Sequence, residues 1–195
     1  MELNIDFFHI VNENIAEKGR ILISEPFLSD NYFRRSIVYL TEHNDDGSLG
    51  FVLNKPLDLK VGEIVNEFPD AEFSVSVGGP VSTNTVHYIH TLGDRVPGSV
   101  PVTDGIYWGG DFDALKKLIA LGQVQPRELR FFLGYAGWSA RQLEGEMQEN
   151  AWLVGKIPPQ VVMQAVETEF WSSLLNRYKN KYKAWANFPD DPGLN

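Results

Sequence analysis

Leu129-Arg-Phe-Phe-Leu-Gly-Tyr-Ala-Gly-Trp-Ser139 is the stretch on which the reading of this chain turns. Leu129–Leu133 is apolar enough to be a strand buried on both faces. Gly134-Tyr-Ala-Gly137-Trp138 then reads as a glycine-built turn, because glycine serves where the backbone takes positive φ or approaches another group closely. Ser139 stands as an N-cap. Gln142, three residues on, completes a capping box, and Trp138 with Leu143 occupies the hydrophobic-staple positions, so a helix is expected from Ala140.

Upstream, a second glycine turn, Gly78-Gly79-Pro80-Val81, closes the strand-like Phe73–Val77. The two turns are expected to face each other or a ligand. Gly19–Ser24 and Ser36–Thr41 read as strands, Asn44–Gly47 as a hairpin turn into Gly50–Leu53, and Pro56 as a stop, since proline cannot donate to a ladder. Val61, Ile64, Val65 and Phe68 recur at helical spacing and predict a helix over 61–68. Val86–His90 reads as a strand, Pro97 and Pro101 bracket a loop into Gly105–Trp108, and Asp111–Leu121 is an amphipathic helix with Asp111 as its cap. Downstream, Ala151–Val154 is a last strand. Pro158-Pro159 opens one long helix to about Tyr182. About eight strands and four or five helices, neither segregated nor alternating, describe a mixed α/β (α+β) fold rather than a doubly wound sheet. The expected organisation is a single domain over 1–195, with an N-terminal extension at 1–18 and a C-terminal helical segment at 158–186.

Composition narrows the chemistry. The chain has 195 residues, 43% of them hydrophobic, enough for one proper core. It has no cysteine, which excludes disulfides, thiolate catalysis and Cys-ligated metals. Met1–Phe8 lacks a basic region before an apolar run, and no stretch approaches the roughly 20 apolar residues of a membrane span, so a cytoplasmic protein without membrane contact is expected. A net charge of −9 repels phosphate backbones and argues against direct nucleic-acid binding.

Gly19–Leu28, Gly47–Pro56, Gly78–Val81, and Gly134–Trp138 with Gln142, Glu144 and Glu146 resemble the AlgH/YqgE family of bacterial proteins, as does the ending Phe188–Asn195. The resemblance covers about Lys18 to Asn195. It implies a bent, bifurcated sheet curled into a pseudo-barrel with helices packed outside. Of activity it implies little; the family's common label, transcriptional regulator, reflects a genetic association with alginate synthesis in one lineage. Arg141 departs from the resemblance, because the family commonly has glycine there. A first helical turn accommodates arginine, so the helix is expected to survive.

Each candidate chemistry has a bland counterpart. Gly78-Gly79 could cradle an anion, but Pro80 and Val81 replace the lysine and hydroxyl of a phosphate loop. Gly109-Gly110 precedes Asp111, whose capping carboxylate would occupy the free amides and repel a phosphate. Ser139 fails the nucleophile-elbow pattern at Arg141, and capping accounts for it. His87 and His90 alternate to opposite strand faces, so a metal shared with His43, Asp45, Asp46 or Asp94 would need a bend. Glu144 and Glu146 diverge by about 200 degrees on a helix and cannot pair as acid and base; one of them could face the glycine turn. Arg177, Lys179, Lys181 and Lys183 interleave with Tyr178, Tyr182 and Trp185, as in strands of nucleic-acid contact, yet cations also suit a helix C-terminus while aromatics pack inward.

No cofactor or metal is expected, and no catalytic residue is assigned. The candidate surface for a protein partner or small ligand comprises Asn54, Gly78, Gly79, Pro80, Gly134, Tyr135, Gly137, Trp138, Gln142, Glu146 and Trp152. The alternatives are a direct DNA-binding regulator and an enzyme whose site assembles only in the fold. A cleft holding at least two carboxylates, or a histidine with a hydroxyl, in hydrogen-bond reach would favour the enzyme.

Overall fold

A computed structural model describes residues 8–103, 105–164, 167–178 and 181–189. Among the described residues there are ten strands: β1 (Ile21–Ser24), β2 (Ile37–Asn44), β3 (Gly47–Val52), β4 (Pro56–Lys60), β5 (Ser74–Val77), β6 (Val81–His90), β7 (Val100–Thr103), β8 (Ile106–Trp108), β9 (Leu129–Ser139) and β10 (Trp152–Gly155). The helices are α1 (Val61–Ile64), α2 (Phe112–Ala120), α3 (Gln142–Gln148), α4 (Pro159–Gln164), α5 (Phe170–Leu175) and α6 (Lys181–Trp185).

The sheet runs β10-β1-β2-β3-β9-β6-β8-β7, with β4 and β5 branching off β9. The fork lies within β9. Its first half pairs antiparallel with β6 and parallel with β5, while Ala136–Ser139 pairs antiparallel with β3. Just ahead of β1, Lys18 donates from Nζ to the Pro101 carbonyl at 3.0 Å. A Cβ on Gly19 would lie 2.5 Å from a methyl of Thr103. The chain before β1 therefore abuts β7, and the mixed α/β sheet curls on itself without closing into a barrel.

Three apolar clusters fill the layers. One holds Phe51, Phe132, Trp171 and Trp185 between the sheet and the C-terminal helices; another lies under α3 around Trp138 and Trp152; the third lies under α2 around Phe131 and Leu115. The outer edge of β10 is covered without a further strand. Asn12 donates to the Trp152 carbonyl at 3.1 Å and accepts from the Val154 amide at 2.6 Å, while Asn14 donates to the Val154 carbonyl at 3.4 Å. β7, at the far edge, carries Pro101 where a missing donor does least harm.

Several expectations hold. Asp111 caps α2 through the Asp113 and Ala114 amides at 2.9 and 3.0 Å, and the β2–β3 hairpin turns at Asp45-Asp46. Others are corrected. Gly134–Trp138 is not a turn: it lies in the second half of β9, and Gly134 makes room for a neighbouring segment instead of a reversal. The helix after it starts at Gln142, not Ala140, because Arg141 takes a left-handed conformation at φ 62°. Here the structure assigns Arg141 to the kind of position that glycine tolerates better, so the departure from the family pattern is strained rather than neutral. The helix read over 61–68 stops at Ile64, and Glu67 has φ 54°. The long C-terminal helix is three short ones, separated by turns at Thr168-Glu169 and Asn176–Tyr178. A straight helix over those residues would be about 36 Å long, longer than a small domain is wide. Breaking it lets Trp171 and Trp185 both bury against one core. Of the family-like ending, residues 190–195 lie outside the described residues.

Candidate functional site

The two glycine segments do meet, and they meet backbone to backbone. A Cβ on Gly78 would stand 2.1 Å from the Gly134 carbonyl oxygen, and one on Gly79 2.3 Å from that of Tyr135. Gly78 also stitches the fork: its N–H donates to the Leu133 carbonyl at 2.8 Å, and its carbonyl accepts from the Val52 amide at 2.9 Å. Gly134 reciprocates, with φ 65° and the Val81 and Gly79 carbonyls 2.6 and 2.7 Å from where its Cβ would be. These amides and carbonyls face protein, with Gly78, Gly79 and Gly134 all buried. Pro80, half-buried, leads from the crossing into β6.

A second group comes together around Glu146. One of its carboxylate oxygens accepts from the Trp138 indole at 2.8 Å and the Trp152 indole at 2.7 Å; the other accepts from Gln142 at 3.0 Å. The Gln142 side-chain carbonyl in turn accepts from the Ser139 amide at 3.0 Å, but with Arg141 as the N-cap this is not the expected capping box. The indoles meet edge to face at 5.9 Å. Trp152 is fully buried and Trp138 is 5% exposed, so this clasp fixes α3 on β9 and β10. Glu144, as its helical spacing implied, is exposed on the other side.

Between crossing and clasp lies an open groove of about 460 Å³. Leu49, Val81, Tyr135, Gly137 and the margin of Trp138 line it, and Glu42, Asn44 and Asp46 of the β2–β3 hairpin form its rim. Tyr135 is half-buried, its ring edge-on to His87 at 5.5 Å. Burial lowers the His87 pKa by disfavouring the charged ring. Of the sequence-singled residues, Tyr135, Gly137 and Trp138 reach this groove. Asn54 does not. It is 1% exposed and belongs to a separate pocket with Arg34, Arg35 and Lys55, of which only Lys55 lies in a motif singled out from the sequence.

Two histidines do lie within reach of hydroxyls. His90 Nδ1 accepts from the Leu92 amide, so its proton sits on Nε2, which donates to the Gly109 carbonyl at 3.0 Å and faces Ser99 Oγ at 3.0 Å. An imidazole so protonated cannot take a proton from Ser99. His43 Nδ1 lies 2.7 Å from Ser48 Oγ, but the two are directly opposed cross-strand neighbours and Ser48 is 9% exposed. His87 and His90 occupy opposite faces of β6. Among the described residues no three His, Asp or Glu side chains are grouped to hold a metal. In the basic stretch, Trp185 is buried, Tyr178 and Tyr182 pack against the same core, and Lys181 donates to the His9 carbonyl. Lys179 lies outside the described residues.

Arg130, the charged residue inside the β9 motif, is also buried. It donates to the Val162 and Leu53 carbonyls at 2.6 and 2.7 Å and lies 5.1 Å over the Phe132 ring. Burial pulls its pKa down to about 9.

Comparison with known proteins agrees with this architecture. Residues 21–183 match the family model DUF179, described as AlgH-like. A UPF0301 protein of Bacteroides fragilis is 42% identical over 197 residues, covering 100% of both chains. One of Chlorobium limicola is 40% identical, covering 95% of this chain and 100% of its own. The solution structure of AlgH from Pseudomonas aeruginosa has a TM-score of 0.69 at 31% identity, over 82% of this chain and 87% of that one. A crystal structure from Corynebacterium diphtheriae shares the fold, with a TM-score of 0.73 at 19% identity over 96% and 100% of the two chains.

Proposed function

The chain belongs to the AlgH-like family, and from that premise we propose that it is a non-catalytic, cytoplasmic binding protein with a regulatory role, which holds a basic segment of a protein partner in the Tyr135 groove. One observation carries this reading: Leu49, Val81, Tyr135 and Gly137 form an apolar and aromatic floor beneath a rim that holds Glu42 and Asp46. A large apolar residue would pack on the floor while flanking Lys or Arg meets the carboxylates. The net charge of −9 steers cations inward and opposes a phosphate backbone, which supports protein over DNA as the partner of a regulator.

A display selection of random short peptides tests the idea, counter-selected on the Tyr135→Ala protein after its fold is confirmed by circular dichroism. Enriched peptides should combine Lys or Arg with a large apolar residue, weaken with salt, and lose about tenfold in affinity on Asp46→Asn. Enrichment independent of Tyr135 would sink the proposal. The enzyme reading has its own observation, the His43–Ser48 pair at 2.7 Å. Labelling of Ser48 by a fluorophosphonate would bring it forward; inertness of Ser48 would remove it.

A further inference from the structure

β9 carries a charge into the interior without a counter-charge. Arg130 is 5% exposed and makes no ion pair among the described residues. The Val162 and Leu53 carbonyls take one N–H each from Nη1 and Nη2, at 2.6 and 2.7 Å, and the guanidinium lies 5.1 Å over the Phe132 ring. A guanidinium has five N–H donors, so three are left over, Nε–H among them. Two carbonyl dipoles and a ring face offset only part of the cost of taking a full charge out of water. The same desolvation is what draws the Arg130 pKa down.

Arg130 lines a pocket of about 280 Å³ between the β4–β5 branch and α4. β5 runs parallel to β9 with Val75 beside Phe131 and Ser76 beside Phe132, so strand alternation puts Ser74, Ser76, Arg130 and Phe132 on one face of the fork. That face looks toward α4, where Arg130 holds the Val162 carbonyl and the next residue, Met163, lines the pocket. Leu57 and Phe73 make much of the remaining wall apolar. The carboxylate in the lining, Glu72, is 83% exposed and paired with Lys60 at 3.2 Å, so it leaves Arg130 unneutralised. We propose that this pocket binds a small apolar carboxylic acid, its carboxylate on Arg130 and its hydrocarbon against Leu57, Phe73 and Met163. One guanidinium balances one negative charge and offers a planar fork that matches a carboxylate. A phosphate dianion would keep a charge in excess and would gain nothing from the apolar wall. The volume falls just under the usual range of ligand pockets, which starts at about 300 Å³, and limits the acid to a short chain or a single ring. This site stands apart from the Tyr135 groove, and neither proposal depends on the other.

The test is a nuclear magnetic resonance titration of the full-length, isotope-labelled protein at fixed ionic strength, with benzoate, hexanoate, benzamide and inorganic phosphate as probes. Benzoate and hexanoate should give saturable amide shifts confined to residues 56–57, 72–76, 129–131 and 163, and should move the Arg130 Nε–H signal. Benzamide has the shape of benzoate without its charge, and phosphate has charge without an apolar body; each should bind about tenfold more weakly than benzoate. Arg130→Met fills the same space without the charge and should lose benzoate affinity about tenfold. Should that variant fail to fold, the Nε–H signal and the benzoate-to-benzamide ratio in the unaltered protein decide the matter. Dispersed or unsaturable shifts, or an Arg130 Nε–H signal that stays still at saturation, would overturn the site. Benzamide binding as tightly as benzoate would overturn the role of the carboxylate, and phosphate binding as tightly would overturn the apolar acid.

Discussion

The glycine crossing at the sheet fork and the tryptophan clasp under α3 hold the same strand, β9, by opposite means. At the crossing, side chains are absent so that the Gly78–Gly79 backbone can lie against Gly134 and Tyr135. At the clasp, two of the largest side chains converge on a single carboxylate, Glu146. Each is complete within the chain, with its polar groups engaged. The surface open to a partner is what lies between them, the groove over Tyr135. Motifs dense in glycine and tryptophan can thus mark junctions of the fold, with a binding surface arising beside them.

Substitutions separate the two modes of holding, beginning with the crossing. Gly78→Ala should destabilise the protein by at least about 4 kcal/mol or prevent folding, because the new methyl meets a carbonyl oxygen that belongs to the sheet itself. Gly62→Ala is the control, since nothing lies within 4 Å of its Cβ. It should shift the urea midpoint little and upward, as helical Gly→Ala changes do. If Gly78→Ala unfolds no more readily than Gly62→Ala, the crossing is looser than described.

At the clasp, Glu146→Ala should cost about 3 kcal/mol, since it strands two indole N–H groups that are largely out of water. Glu146→Gln keeps an acceptor and should recover part of that loss. Equal destabilisation by both would show that the carboxylate's charge, rather than its hydrogen bonds, holds the clasp. The smallest effect runs the other way. Arg141→Gly should stabilise by about 1 kcal/mol, relieving a left-handed backbone at φ 62°. A loss of stability there would mean that the Arg141 side chain makes a contact worth more than the strain.

The legible parts of the fold were those whose cause is local. Asp111 and the apolar stripe after it specify α2 from neighbouring residues alone, and Asn44–Gly47 does the same for the hairpin. Gly134 misled because the reason for glycine there is a segment more than fifty residues upstream, so an ordinary strand looked like a turn. Continuous helical spacing after Pro159 could not reveal breaks that exist to seat Trp171 and Trp185 on one core. Arg141 gave no sign of its left-handed backbone beyond the family's preference for glycine. Part of the candidate site was visible: the aromatics of β9 were singled out, and Tyr135 does line the groove. The acidic rim was passed over, since loop aspartates in turns are ordinary. The Arg34–Lys55 pocket was invisible because its cations lie on separate loops, brought together by the buried Asn54.

Asn12 and Asn14 offer β10 what another strand would offer, since a side-chain amide carries the same donor and acceptor as a peptide group. Among the described residues the sheet is thereby finished by two side chains instead of a whole strand. A variant begun at residue 19 would present Trp152–Gly155 as a bare template, and a like edge on a second copy could complete it. Whether such a chain stayed alone would then be a matter of concentration: Asn12 and Asn14 act as the sheet's limit to growth.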